Sequence, residues 1–226
     1  MKSKNKPAAL ILLSTQCPHC HTLEALLRQR STNGLLGELK VINLQQAPEV
    51  ARHYGVLSVP WLQLGHFIFD ESLTPKELDR WIEYINQGTG HTEYISYLLE
   101  RGKLLKAIEW IEKGNTTLKA VIPLLADPDA KINVRVGIGA ILEHFEDTQT
   151  IGAIIPDLLH LLHDSHQAIR TDACHYLSLT HSSAAIEPLK PMLDDEDQQV
   201  RQVARESIDA LMETAGKANQ ANTGKP

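Results

Sequence analysis

Cysteines, aromatic residues and long apolar runs are all scarce in this chain of 226 residues. There are three cysteines, and aromatic side chains make up 5%. Three cysteines are too few for a disulfide framework in a chain this long. The apolar run near the start, residues 8–13, is far below the roughly 20 residues a membrane-spanning helix needs. It is also short for the core of a signal peptide. Lys2, Lys4 and Lys6 open the chain as a signal peptide would, yet no small-residue cleavage site follows, so a cytoplasmic protein with no membrane association is expected. Excess positive charge is lacking as well. Net charge is −6; residues 1–90 carry +1 and residues 91–226 carry −7. Phosphate binding needs a basic surface, which excludes nucleic acid as the main partner. What is present, 42% hydrophobic and 22% charged residues, is ordinary globular usage and enough for a real core.

Residues 1–88 alternate strand and helix signals. Residues 8–13 read as a buried strand, and 18–30 as a helix with Leu23, Leu26 and Leu27 on one face. A second strand is expected at 39–44 and a short helix at 48–54. Two short strands, 61–64 and 66–69, flank Gly65 as a tight hairpin. Thr74 then caps a helix that starts on Pro75, with Glu77 at the capping-box position and Leu78, Trp81, Ile82 and Ile85 facing inward. The predicted order is β-α-β-α-β-β-α.

Beyond residue 88 the strand signals stop. Residues 89–116 read as a connecting helix pair, with Tyr94, Ile95, Leu98, Leu99, Leu104, Leu105, Ile108, Trp110 and Ile111 as its apolar side. Residues 117–214 hold three similar units. Each has an apolar helix, an Asp at the turn (Asp127, Asp164, Asp195) and an apolar residue followed by Arg (Arg135, Arg170, Arg201) opening a second helix. The arginines are expected to pair with turn aspartates such as Asp164 or Asp195 across the stack. Residues 215–226 are small and polar and read as a disordered tail.

The chemistry is concentrated in Cys17-Pro18-His19-Cys20, at the step from the first strand to the first helix. Cys17 falls at the helix N-terminus, where free backbone N–H groups and the helix dipole favour a thiolate. Pro18 suits the first turn because it has no N–H to lose. Cys20 lies one turn on, nearly on the same face and less exposed, within reach of a disulfide. His19 supplies positive charge or a donor that tunes the Cys17 thiolate. Attack by Cys17 on a disulfide gives a mixed disulfide that Cys20 resolves.

These residues, together with the element order and Ser58-Val59-Pro60 ahead of the hairpin, resemble the thioredoxin superfamily over residues 8–86. The resemblance implies an α/β domain that exchanges protein disulfides through a redox-active Cys17–Cys20 pair, needing no other cofactor and no metal. It implies a cis Pro60 facing the dithiol, with Val59 binding substrate backbone, and a reductase or glutathione as electron partner. Pro18-His19 resembles the dipeptide of bacterial disulfide-forming oxidases, while Gln16 and Ile11 stand where thioredoxins have Trp and a buried Asp. Reductase, isomerase and oxidase share this motif. The second part is similar to HEAT-type repeats, an all-α solenoid expected to recruit a protein substrate or partner.

Rival readings are a scaffold or co-chaperone with an accessory thioredoxin-like domain, and a metal site built on Cys17, Cys20 and His19 or His21. Cys174 reads as a core residue. His160, His163 and His166 read as a solvated surface, and the run 194–197 as an acidic turn.

Overall fold

The computed structural model describes residues 6–114, 116–146 and 148–223. They divide into two compact units, Met1–Gly90 and His91–Pro226.

In the first unit, strands β1 (Ala9–Leu13), β2 (Leu39–Asn43), β3 (Trp61–Leu64) and β4 (Phe67–Phe69) form one sheet in the order β2-β1-β3-β4. β1 runs parallel to β2 and antiparallel to β3, and β3 is antiparallel to β4. A central strand covered on both faces is apolar without alternation. β1 accordingly buries Ala9, Ile11, Leu12 and Leu13.

Helix α1 (Pro18–Thr32) buries Cys20, Leu23 and Leu27, and Leu26 is only half-buried. It outruns the expected end at Arg30 and stops where Gly34 takes φ 71°, a conformation open to glycine. Arg30 donates to both carboxylate oxygens of Asp79, at 2.7 and 2.9 Å. That ties α1 to α3 (Pro75–Gln87), while α2 (Pro48–Tyr54) falls where expected.

The hairpin differs by one residue from the sequence reading. Leu64 faces Phe67, so Gly65 and His66 together make a two-residue turn, the length that matches strand twist. Thr74 and Glu77 form a complete capping box on α3, satisfying two backbone donors. Trp81 of α3 packs its ring 5.1 Å from Phe67 and 5.2 Å from Phe69.

The second unit is helical: α4 (His91–Glu100), α5 (Leu104–Glu112), α6 (Ile122–Leu125), α7 (Ile132–His144), α8 (Ile155–Leu161), α9 (Gln167–Ser178), α10 (Ile186–Leu189) and α11 (Gln198–Thr223). Helices α6, α8 and α10 each follow a 3₁₀ turn and carry Pro123, Pro156 or Pro188 near their start, where a missing N–H costs nothing.

The expected connecting pair of 89–116 forms α4 and α5, which pack on α7 within the second unit. Gly137 allows that approach: a Cβ there would lie 2.6 Å from Leu99. Two expectations change. Leu105 is 79% exposed, and Ala107 takes the buried place instead. The tail is not disordered from Ala215, since α11 runs through it to Thr223; residues 224–226 lie outside the described residues. Alanine-rich polar sequence is what a solvated helix looks like, and Glu213 pairs with Lys217 one turn on at 2.8 Å.

The turn aspartates share one geometry. Asp127, Asp164 and Asp195 each accept the amide of the second residue on, at 3.0, 2.8 and 2.9 Å. Arg170 donates to both oxygens of Asp195, at 2.8 and 2.9 Å, and to the carbonyl of Asp164 at 2.9 Å. Arg135 does not reach Asp164. It pairs with Asp172 on α9. Arg201 spends its donors on the carbonyls of Asp195 and Glu196, at 2.7 and 2.9 Å. Arg170 therefore clamps one turn to the next.

Candidate active site

The C-terminal end of β1, the first turn of α1 and the loop leading into β3 meet at one end of the sheet. Cys17 is the N-cap of α1, with φ −100° and ψ 109°, and Pro18 occupies the first turn. The amide of Cys20 donates to Cys17 Sγ at 3.3 Å, so the sulfur does for this helix what a Ser or Asp oxygen does in an ordinary cap. The Cys17 amide in turn donates to the Ser14 carbonyl at 3.2 Å, closing the loop between strand and helix.

Both cysteines are free thiols. Cys17 is half-buried and reachable from solvent, whereas Cys20 is fully enclosed. Burial pushes the Cys20 thiol up to about 11, helped by its hydrogen bond to Cys17. The two sulfurs thus differ in access.

Across from Cys17 the Val59–Pro60 peptide bond is cis, as the resemblance implied. The Cys17 thiol donates to the Val59 carbonyl at 3.8 Å. Val59 is half-buried and Pro60 is buried. Among the expected site residues, Cys17, Cys20, Pro18, Val59 and Pro60 are therefore brought together. His19 sits on the first turn of α1, exposed.

Sequence reasoning missed the contacts that hold the loop before Cys17. His21 Nε2 lies 3.0 Å from the Thr15 carbonyl, and the Thr15 hydroxyl bonds to Gln45 beyond β2. The only signal was the placement of His21 one residue past the motif, on a turn able to reach back over it.

Among the described residues, no group of three or more His, Cys, Asp or Glu is arranged to hold a metal ion. His160, His163 and His166 are exposed. Cys174 is fully buried, and its thiol is pushed up to about 12 by that burial. No described helix is long and apolar enough to cross a membrane.

Residues 9–83 match the family model of the thioredoxin domain, and residues 105–209 match that of HEAT repeats. The chain thus carries a thioredoxin-like domain followed by HEAT-like repeats. No curated protein matches it.

Proposed function

We propose that this protein is a thiol–disulfide oxidoreductase acting on protein disulfides, with its helical repeats recruiting the protein substrate or partner. The observation that supports this best is the seating of Cys17: its sulfur caps α1, accepts the Cys20 amide at 3.3 Å and faces the Val59 carbonyl beside a cis proline. An amide donor and the positive end of a helix dipole are the surroundings in which a nucleophilic thiolate is stabilised.

The exchange balances without any other cofactor. The Cys17 thiolate attacks one sulfur of the substrate disulfide, that S–S bond breaks, and the leaving thiolate takes a proton from water. Cys20 then attacks Cys17 Sγ, its proton passing through water to the substrate sulfur that leaves as the mixed disulfide breaks. A Cys17–Cys20 disulfide forms and the second substrate thiol is released, so the substrate gains the two electrons the protein loses. A reductase or glutathione of the cytoplasm restores the dithiol. His19 lies on the first turn of α1 and adds positive charge near the attacking sulfur when protonated. Stacked helical repeats present long surfaces suited to polypeptides.

The test is a trap. Cys20 is the enclosed thiol, so Cys20→Ser is expected to leave the first step intact and halt the second. Incubated with a disulfide-bonded polypeptide, the variant should accumulate a covalent adduct, released by reductant and mapped to Cys17. An adduct on Cys174, or none at all, would count against the assignment.

A further inference from the structure

The peptide unit that joins Thr15 to Gln16 lies just ahead of Cys17, and both of its polar groups are held. Its carbonyl, on Thr15, lies 3.0 Å from Nε2 of His21, the residue after Cys20 on α1. A carbonyl can only accept, so the His21 ring carries a proton on Nε2 and donates it, whether the ring is neutral or charged. The amide of the same peptide unit, on Gln16, donates to the Ser14 hydroxyl at 3.4 Å. The Thr15 hydroxyl adds a tie to Gln45 beyond β2. The loop is therefore anchored to α1 on one side and to the segment after β2 on the other.

This loop frames both sulfurs. The Ser14 carbonyl accepts the Cys17 amide at 3.2 Å, and the Ser14 backbone bonds to the Cys20 sulfur in a way that favours its charged form. Cys17 follows directly, in the N-cap conformation that points its sulfur at the Cys20 amide, 3.3 Å away. There the sulfur meets the positive end of the helix, where a thiolate is stabilised. His21 reaches back six residues across this cap. Without its donor the Thr15 carbonyl is no longer fixed, and the backbone that aims the sulfur gains freedom.

Resting on the oxidoreductase reading, we propose that His21 is a positioning residue for the dithiol: its Nε2–H, bonded to the Thr15 carbonyl, fixes the loop that seats Cys17 and so sets how readily that sulfur reacts. His21 acts through Thr15, and it is the donor rather than the charge of the ring that matters. A glutamine, whose amide N–H lies at a similar distance from the backbone, can replace it.

The experiment uses the full chain with Cys174 replaced by Ala and compares His21 with His21→Leu and His21→Gln. His21 is exposed, so neither change threatens the fold. Alkylation by iodoacetamide at neutral pH is followed by mass at Cys17, and the Cys17–Cys20 couple is titrated in glutathione buffers. His21→Leu is expected to slow Cys17 about three- to tenfold, the scale of one hydrogen bond. It should also move the midpoint of the couple to a more negative potential, because a dithiol whose thiolate is less stabilised is more easily oxidised. His21→Gln should match the wild type in both. An unchanged rate or an unmoved potential in His21→Leu would overturn the role of His21 alone. So would a Gln variant as slow as the Leu one, which would give the effect to the charge of the ring. Wild-type protein that forms no Cys17–Cys20 disulfide in any of the buffers would overturn the oxidoreductase reading and this proposal with it.

Discussion

Replacing Cys17 by Ser is expected to lower the rate of disulfide reduction by about three orders of magnitude or more, the scale on which removal of a covalent nucleophile acts. The fold should hardly notice. Cys17 is half-buried and its sulfur is the N-cap of α1, accepting the Cys20 amide. A serine hydroxyl is among the best groups for that position, so the helix keeps its cap and loses only the atom that reacts. A coupled reductase assay on the variant, with its thermal unfolding recorded in the same buffer, separates the two effects. Lost turnover with an unchanged midpoint is the expected pair of results. Retained turnover would mean that Cys17 is not the attacking thiol.

Arg170→Ala is expected to have the largest effect on stability. Arg170 is buried and Asp195 half-buried, their side chains only 9% and 8% exposed, and they bond through two parallel N–H···O contacts. Removing the arginine strands the carboxylate in the interior and also frees the carbonyls of Asp164 and Ser165. Breaking one side of a buried pair costs about 3–5 kcal/mol. For a unit of this size that shifts the midpoint by on the order of 10 °C, readable by calorimetry. Arg201→Ala loses carbonyl contacts only and should cost much less. A loss as small for Arg170 would mean that its pairing with Asp195 contributes little to the fold.

The same pair sets an acid limb. The Arg170 guanidinium holds the Asp195 carboxyl below the usual carboxylate range. A depressed carboxyl stabilises the fold above its unfolded value and loses that contribution as pH falls through the depressed one. Wild type should therefore lose part of the second unit's stability below about pH 4, near the ordinary aspartate pKa, and Arg170→Ala should lose much of that dependence. Cys174 acts at the other end. Its thiol, pushed up to about 12, favours the folded state while protonated, and that contribution fades as pH rises above the ordinary thiol value.

What could be read directly from the sequence was local. The cap of α3 rests on Thr74, Pro75 and Glu77, all within four residues, and helix α2 begins on Pro48 and ends at Gly55 in the left-handed conformation. Cys17 and Cys20 were placed by the strand-to-helix step alone. Contacts that depend on the stacking of distant segments were not legible. The pairing of Arg135 with Asp172 spans 37 residues, and nothing near either one distinguishes Asp172 from Asp164. Leu105 fits an apolar helical face as well as Ala107 does, and only the packing of α5 shows which is inside. The end of α11 was misread because a solvated alanine-rich helix and an unfolded tail share a composition.

The central claim is that Cys17 and Cys20 form one reversible two-electron couple. Titrating the full chain, with Cys174 replaced by Ala, against glutathione buffers of known potential tests it most directly, with the products read by mass. The account predicts one transition between dithiol and an internal Cys17–Cys20 disulfide, with a midpoint between about −270 and −120 mV, the span from thioredoxin to the strongest periplasmic oxidant. A value near the first would mark a reductase, and one near the second an oxidant. Glutathione adding singly to Cys17 with no internal bond at any potential, or no reaction of either thiol, would contradict it.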